Sequence, residues 1–425
     1  MVNRKLVLSL FLLIVLNFMG CQENKVRIDE TATVPKSTVA ANPSLALTME
    51  QKLQDFDYLY TILKENYPFF WVNQRVNGVD WLAKKDDYIQ QIKETRTDGE
   101  FGNVLNAMLY DLHNGHTQLL VTRDYENYIK TYESLGSVYK PWVEALLKPT
   151  SQRRYNYTPS KQTDTPSSPV NTPGPRRYRS DTIIPGKVAY LKVSSFNKFS
   201  VESDREGILN FLNTIKDYPI LIVDIRQNGG GSDAYWRQNI VAPLVEKDVT
   251  AEFYNLYRGG NYSEAFIKSR GIQPQKIETI GQQLLNTFPP ETKREFKYAT
   301  KINVTIKPSN YVGFKGKIYL LVDKRVFSSS ESFAAFCKAS RWATLVGERT
   351  GGDGMGTDPL LVSLPNSGYI VRFSWVMGVS PDGTCNEEKK TEPDIKVDPA
   401  IGSTYKEDKA IQEVLKLNNL ANQLP

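Results

Sequence analysis

The stretch Ile318-Tyr-Leu-Leu-Val322, followed after a short loop by Val326-Phe-Ser-Ser-Ser-Glu331, decides the fold of this 425-residue chain. An uninterrupted apolar run of this length is typical of a strand that is buried on both faces of a parallel sheet. The serines stand where such a strand passes through a loop into a helix. Similar apolar runs over residues 188–193 and 220–223 alternate with helical stretches. The sequence therefore predicts an α/β fold with mainly parallel strands.

Shifts in composition divide the remainder of the chain into segments. Over residues 46–125 large apolar side chains recur at helical spacing, which predicts a helical N-terminal domain. Residues 126–182 become rich in Pro, Ser and Thr, and we interpret them as a variable insertion. The α/β core then occupies residues 183–405. An amphipathic stretch over residues 406–425 predicts a closing C-terminal helix.

The first residues have the pattern of an export signal. Two basic residues precede an apolar run over residues 6–19, which is shorter than the roughly 20 residues of a membrane-spanning helix. We therefore predict a signal peptide over residues 1–20 and a flexible tether over residues 21–45. A small residue before Cys21 resembles a bacterial lipoprotein cleavage site, although a plain secretory signal with an incidental cysteine is the alternative. We expect an exported cell-envelope lipoprotein, periplasmic or associated with the outer membrane, anchored through Cys21.

The net charge of +6 does not indicate a nucleic-acid partner. The basic excess is concentrated near Arg153 and over residues 176–179, in a proline-rich stretch where a solvated linker explains it. The two cysteines outside the predicted signal region, Cys337 and Cys385, lack a Cys or His neighbour at metal-ligand spacing. Although one pair could form a disulfide, we expect two buried or free thiols.

Ser328 is a candidate nucleophile because it lies in the loop between a buried strand and a helix. Backbone N–H groups at a helix start favour the negative charge that develops during acyl transfer. The alternative is that the serine only caps the helix, since serine is a preferred N-cap residue.

A second candidate element is the stretch Pro219-Ile-Leu-Ile-Val-Asp-Ile-Arg-Gln-Asn-Gly-Gly-Gly231, a buried strand that ends in three glycines. Glycines allow a backbone to pass close to a ligand, so this loop could direct an N–H group toward a substrate carbonyl oxygen. A phosphate-binding loop is the alternative, but the stretch lacks the Lys-Ser/Thr ending and the glycine spacing of nucleotide motifs.

The chain has only two histidines, His113 and His116, so a histidine base has few sources. As a His-x-x-His pair they could bind a metal, but no Glu lies between them and no third ligand is indicated. A structural histidine at a helix end is the other alternative. We predict no metal site and no cofactor.

Together, and in this order, these segments resemble the family of carboxy-terminal-processing and tricorn-type serine peptidases, which includes retinoid-binding repeats. Asp111-Leu-His-Asn-Gly-His-Thr117 resembles the family's Asp-x-His-Thr segment, with Asn114 where aspartate is usual. Asp224-Ile-Arg-Gln-Asn-Gly-Gly-Gly231 is similar to its Asp-x-Arg-x-Asn-x-Gly-Gly signature, and Phe327-Ser-Ser-Ser-Glu331 to its nucleophile segment. The resemblance implies a crotonase/ClpP-like core and hydrolysis of peptide bonds in a peptide or protein substrate.

Two branches of this family differ in their base. The processing peptidases use a lysine, and Asp353 stands at that position here. The tricorn-like branch uses a histidine, which His116 matches, although Gly115 replaces the serine that precedes it in tricorn. That branch adds a late glutamate, which the resemblance places at Glu387, with the alternatives Glu388 and Glu392.

The resemblance thus implies a catalytic set of Ser328, His116 and Glu387, with Ser329 and Gly230 supplying the N–H groups of an oxyanion hole. No PDZ-like segment is evident between His116 and residue 188. A catalytically silent relative that binds peptides or an apolar ligand is the competing hypothesis. The sequence does not indicate an oligomeric state.

Overall fold

The computed structural model describes residues 46–159 and 176–424. The predicted signal peptide, the tether with Cys21 and residues 160–175 of the predicted insertion lie outside these residues. The boundaries predicted for the segments stay predictions. No helix within the described part of the chain has the length and apolar character needed to cross a membrane.

Helices dominate the first half of the described chain, and strands are frequent in the second. The helices are α1 (Met49–Asn66), α2 (Phe70–Asn77), α3 (Lys85–Lys93), α4 (Asp98–Tyr110), α5 (Thr122–Ser134), α6 (Lys140–Leu146), α7 (Pro149–Arg154), α8 (Val201–Thr214), α9 (Asp233–Trp236), α10 (Glu264–Ser269), α11 (Gln282–Leu285), α12 (Thr292–Glu295), α13 (Ser329–Ser340), α14 (Asn386–Lys389) and α15 (Lys409–Leu417). The strands are β1 (Gln118–Leu119), β2 (Tyr178–Ile184), β3 (Val188–Val193), β4 (Ile220–Asp224), β5 (Val249–Tyr257), β6 (Gln275–Lys276), β7 (Tyr298–Ile306), β8 (Lys317–Val322), β9 (Thr344–Gly347), β10 (Leu360–Ser363), β11 (Ile370–Phe373), β12 (Met377–Val379) and β13 (Ile395–Lys396).

The central sheet has the strand order β13-β9-β8-β4-β3-β2, and all its neighbouring strands are parallel except β2 and β3. Strand β4 is buried at every residue because both faces of the sheet are covered. Leu221 and Val223 contribute to the core on one face, and Ile220 and Ile222 to the core on the other. This alternation explains the continuous apolar run and confirms the predicted parallel α/β core.

Two antiparallel sheets adjoin this core. One has the order β12-β5-β7-β6, and the other has the order β1-β11-β10. Strand β1 follows the histidine motif directly, and its Gln118 pairs with Arg372 of β11. This pairing attaches the helical N-terminal region to a strand from the C-terminal half of the chain.

The first part of the predicted insertion has regular structure. Residues 126–154 form most of α5 and all of α6 and α7, and the buried Trp142 belongs to the same core as the N-terminal helices. Arg154 at the end of α7 is buried and pairs with Asp98 at 2.6 Å. Aromatic and apolar residues at helical spacing, such as Tyr125, Ile129 and Tyr132, form the packing face. The Pro/Ser/Thr-rich composition therefore describes only the residues that follow these helices.

The charged residues of the glycine-loop signature form buried ion pairs that stabilise the fold. Arg226 is buried and its guanidinium contacts Asp224 at 2.6 Å and Asp408 at 2.8 Å. It also donates to the carbonyl oxygen of Ala400 at 2.7 Å. Because Asp408 is the N-cap of α15, this ion-pair network fixes the C-terminal segment beneath the central sheet.

We expect Arg226→Met to lower the free energy of unfolding by about 3–5 kcal/mol, because it leaves two buried carboxylates without their cation. Urea unfolding followed by circular dichroism measures this change. Arg123→Met is the control, since the Arg123 side chain is 86% exposed and its loss should change the unfolding midpoint little. Equal effects of the two substitutions would contradict a structural role for Arg226.

Candidate active site

Ser328 occupies a strained turn directly before α13. Its φ of 58° and ψ of −126° lie where residues other than glycine are rare. The turn is held by the Ser328 N–H, which donates to the Gly352 carbonyl oxygen at 3.3 Å, and by the Ser330 hydroxyl, which donates to the Asn228 carbonyl oxygen. Ser328 lines a cavity of about 730 Å³. The loop serine is therefore presented to a space that a substrate can enter.

The glycine loop packs directly against this turn. A Cβ atom on Gly230 would lie 2.7 Å from the Phe327 carbonyl oxygen and 2.8 Å from the Ser329 nitrogen, so a larger residue would displace the turn. The Gly230 N–H, which we predicted as an oxyanion donor, donates to Asn228 Oδ1 at 2.9 Å. In the described part of the chain the N–H groups of Gly231 and Ser329 have no hydrogen-bond acceptor. Gly231 and Ser329 also line the cavity.

His116 lies in the same cavity, and its ring is fixed from two sides. His116 Nδ1 is 2.7 Å from Asp353 Oδ2, and the two side chains are only 14% and 10% exposed. The ring of Phe327 lies 4.7 Å from the imidazole, centroid to centroid. A Cβ atom on Gly115 would lie 2.7 Å from Phe327 Cζ, which explains the glycine before the histidine.

Asn114 connects the histidine motif to two carboxyl groups. Its Nδ2 donates to Asp353 Oδ2 at 2.8 Å and to Glu387 Oε1 at 3.0 Å. Its Oδ1 accepts hydrogen bonds from the hydroxyl groups of Thr117 at 2.7 Å and Ser374 at 3.1 Å. An aspartate would place a third carboxyl group here and remove the donor, which explains the departure from the family pattern.

In the structure the imidazole of His116 bonds to Asp353 and not to Glu387, so the role predicted for Glu387 stays a prediction. Burial, together with the negative charge of Asp353, raises the pKa of Glu387 well above its ordinary value. The two alternatives also bond elsewhere. Glu388 pairs with Arg75 at 2.6 Å, and Glu392 lies 3.7 Å from Arg349.

The structure also gives the positions of the serine, the second histidine and the two cysteines that the sequence analysis singled out. Ser328 and His116 line one cavity but have no direct hydrogen bond to each other in the described structure. His113 is exposed and its ring faces Tyr110, so the two histidines of the motif do not converge. Cys337 and Cys385 are buried free thiols, as expected. Within residues 46–159 and 176–424 no cluster of His, Cys, Asp and Glu could hold a metal ion.

Sequence reasoning missed Asp353 as the partner of the histidine. The available signal was its position, because the resemblance places it where the other branch of the family has its lysine base. Asp353 and Ser328 line the same cavity in the structure. Asn114 offered a second signal, since an amide in place of a carboxylate is favoured where other carboxylates already lie nearby.

Comparisons with known proteins agree with this architecture. The model of peptidase family S41 matches residues 187–397, and that of the tricorn protease C1 domain matches residues 49–110. A candidate peptidase from Parabacteroides merdae is 22% identical, with a TM-score of 0.56 over 86% of this chain and 96% of that one. Mature CPAF, solved with lactacystin, is 14% identical, with a TM-score of 0.54 over 88% of this chain and 99% of that one.

At these identities the two structures establish similarity of fold alone. The family matches go further, because they cover both the α/β core and the first helices of the N-terminal region. They confirm the resemblance that the glycine-loop signature and the serine segment indicated. This chain belongs to peptidase family S41 and is a serine peptidase.

Proposed function

We propose that this peptidase cleaves peptide bonds by acyl transfer to Ser328, with His116 as the general base and Asp353 as the residue that positions His116. The observation that carries the proposal is the 2.7 Å contact between His116 Nδ1 and Asp353 Oδ2, beside the strained serine turn. The carboxylate accepts the Nδ1 proton, so the lone pair of Nε2 is available to Ser328. The Ser328–His116 hydrogen bond would form when substrate fills the cavity.

The proton path follows from these roles. His116 Nε2 takes the hydroxyl proton while Ser328 Oγ bonds to the substrate carbonyl carbon. As the tetrahedral intermediate collapses, the C–N bond breaks and the imidazolium protonates the leaving amine. Water then attacks the acyl ester and gives a proton to His116. The bond between the acyl carbon and Ser328 Oγ breaks, the imidazolium returns that proton to Oγ, and the acid is released.

The oxyanion of the intermediate needs backbone donors near Ser328 Oγ. Ser329 N–H is one proposed donor, because it lies at the start of α13 and has no acceptor among the described residues. For the second donor we favour Gly231 N–H over the predicted Gly230 N–H, which already donates to Asn228. Each such donor typically contributes a factor of about 10² to 10³ in kcat.

We assign Glu387 an indirect role. Burial, together with the charge of Asp353, raises the pKa of Glu387 well above its ordinary value, which disfavours a second negative charge at this place. Glu387 accepts a hydrogen bond from Asn114, which also donates to Asp353. The glutamate therefore helps to hold the amide that orients the aspartate.

We expect Ser328→Ala to abolish peptide hydrolysis and covalent labelling by a fluorophosphonate probe while the fold stays intact. The replacement removes the only atom that forms the acyl bond. Ser332→Ala is the matched control, since Ser332 lies one turn further along the same helix. Mass spectrometry of peptide-library products measures hydrolysis. Residual activity in Ser328→Ala above that of His116→Ala would overturn the assignment, as would a wild type that binds peptides without cleaving them.

Two isosteric substitutions separate the candidate acids. Asp353→Asn should lower kcat by up to about 10⁴ with little change in KM, because an amide favours the wrong imidazole tautomer. Glu387→Gln should lower kcat by less than about tenfold, because Glu387 does not contact His116 and glutamine keeps an oxygen that can accept from Asn114. Steady-state kinetics on one peptide at pH 7.5 compares them. A larger loss in Glu387→Gln than in Asp353→Asn would restore the glutamate as the partner.

We also propose that the chain is exported and anchored through a lipid on Cys21. The support is the signal-like pattern of residues 1–20, which lies outside the described residues. In a bacterial host, labelled fatty acid should appear on the wild type and be absent from Cys21→Ala. Cys337→Ala is the control, because that thiol is buried in the folded chain and should leave labelling unchanged. Equal labelling of wild type and Cys21→Ala would contradict the anchor.

A further inference from the structure

The cavity beside Ser328 contains more cations than carboxylates. Its lining includes four basic side chains besides His116, and three aspartates. Each aspartate is already paired with one cationic or imidazole group. The pairs are Asp233 with Arg237 at 3.0 Å, Asp358 with Arg270 at 2.9 Å, and Asp353 with His116 at 2.7 Å. The other two cations, Lys198 and Arg372, have no carboxylate partner among the described residues.

Lys198 has polar contacts but no carboxylate partner among the described residues. Its Nζ lies 2.9 Å from the Ser134 hydroxyl oxygen and 3.3 Å from the Thr131 carbonyl oxygen. Both groups are neutral and belong to α5. Burial lowers the pKa of this ammonium, because it removes part of the hydration of the charged group.

Arg372 is the second unpaired cation. Its Nε is buried and has no hydrogen-bond partner in the described structure. The guanidinium lies 5.7 Å from the centre of the Tyr128 ring. No ion pair between described residues includes this arginine. A buried guanidinium N–H without an acceptor is costly, and an anion in the cavity would satisfy it.

The two cations lie against one face of α5, because Tyr128 and Thr131 are three residues apart on that helix. Arg372 is also fixed relative to the nucleophilic centre. It lies in strand β11, two residues before Ser374, and both residues line the cavity. Ser374 donates to Asn114. Arg372 and Ser328 therefore line the same cavity.

We propose that Lys198 and Arg372 form a subsite that binds a substrate carboxylate in the cavity beside Ser328. The proposal rests on the proposed function of Ser328 and adds to it the substrate chemistry. In a partly buried cavity both contacts would be charge-assisted hydrogen bonds. The carboxylate could belong to an acidic side chain or to a free C-terminus. The two sources share this chemistry, and peptide design distinguishes them.

Matched peptides test the proposal. At each position from three residues before to three residues after the cleaved bond, Glu is compared with Gln in otherwise identical, C-terminally amidated peptides. We expect one of these positions to favour Glu by about tenfold or more in kcat/KM. A second series compares free acid with amide at the C-terminus. Preference for the free acid alone would assign the subsite to a terminal carboxylate.

Variants then connect the preference to the two cations. Arg372→Gln and Lys198→Gln should each reduce the preferred ratio to about threefold or less, and Arg372→Lys should keep most of it. Arg237→Gln is the matched control, since Arg237 lines the same cavity but is paired with Asp233. Its carboxylate preference should equal that of the wild type. A preference that survives in both Gln variants, or falls equally in the control, would overturn the subsite.

A binding measurement keeps this result separate from the catalytic proposal. Fluorescent Glu and Gln peptides are titrated against full-length Ser328→Ala, with and without Arg372→Gln. Tighter binding of the Glu peptide that depends on Arg372 would support the subsite even if Ser328 were not the nucleophile. Equal affinity for both peptides, with normal cleavage by the wild type, would reject the subsite and leave the catalytic proposal standing.

Discussion

The side-chain amide of Asn114 connects the two halves of the candidate site. Its oxygen accepts two hydroxyl donors, from Thr117 and Ser374, so its nitrogen must point toward Asp353 and Glu387. One donor group therefore serves two carboxyls that lie close together. Such neighbours cannot both ionise cheaply, and Glu387 is the one whose pKa is raised. The position of Asp353, and through it the orientation of His116, depends on this amide.

The sequence predicted the parts of the site that are encoded locally. The parallel core follows from strands buried on both faces, which give continuous apolar runs. Ser328 and His116 follow from a strand-to-helix loop and from a chain with only two histidines. The carboxyl group that contacts His116 could not be predicted from local sequence in this way. Its identity depends on which of several carboxyl groups faces the imidazole, and Asp353 and Glu387 both approach Asn114 in the folded chain.

The helices over residues 126–154 show a related limit. Proline and serine further along the insertion dominated its average composition, while the buried aromatic residues that form helical faces are few. Trp142 illustrates the point, because one buried indole that donates to the Pro359 carbonyl oxygen attaches α6 to the β10 region. The average composition of a segment does not reveal a single buried side chain of this kind. The spacing of residues along the segment also does not show that it packs against a distant strand. Gly115 is likewise explained only by the folded structure, because a side chain there would meet the Phe327 ring.

The glycine-loop signature holds the serine turn in its strained conformation. Asp224 and Arg226 fix the loop to the C-terminal segment, and Asn228 caps the turn through its side chain and its carbonyl oxygen. Gly230 then allows the two backbones to touch. A positive φ at a serine persists only where the surroundings over-determine it. The signature thus stabilises an unfavourable backbone conformation at Ser328. The free-energy cost of that conformation is offset by burial and by ion pairs far from the cavity.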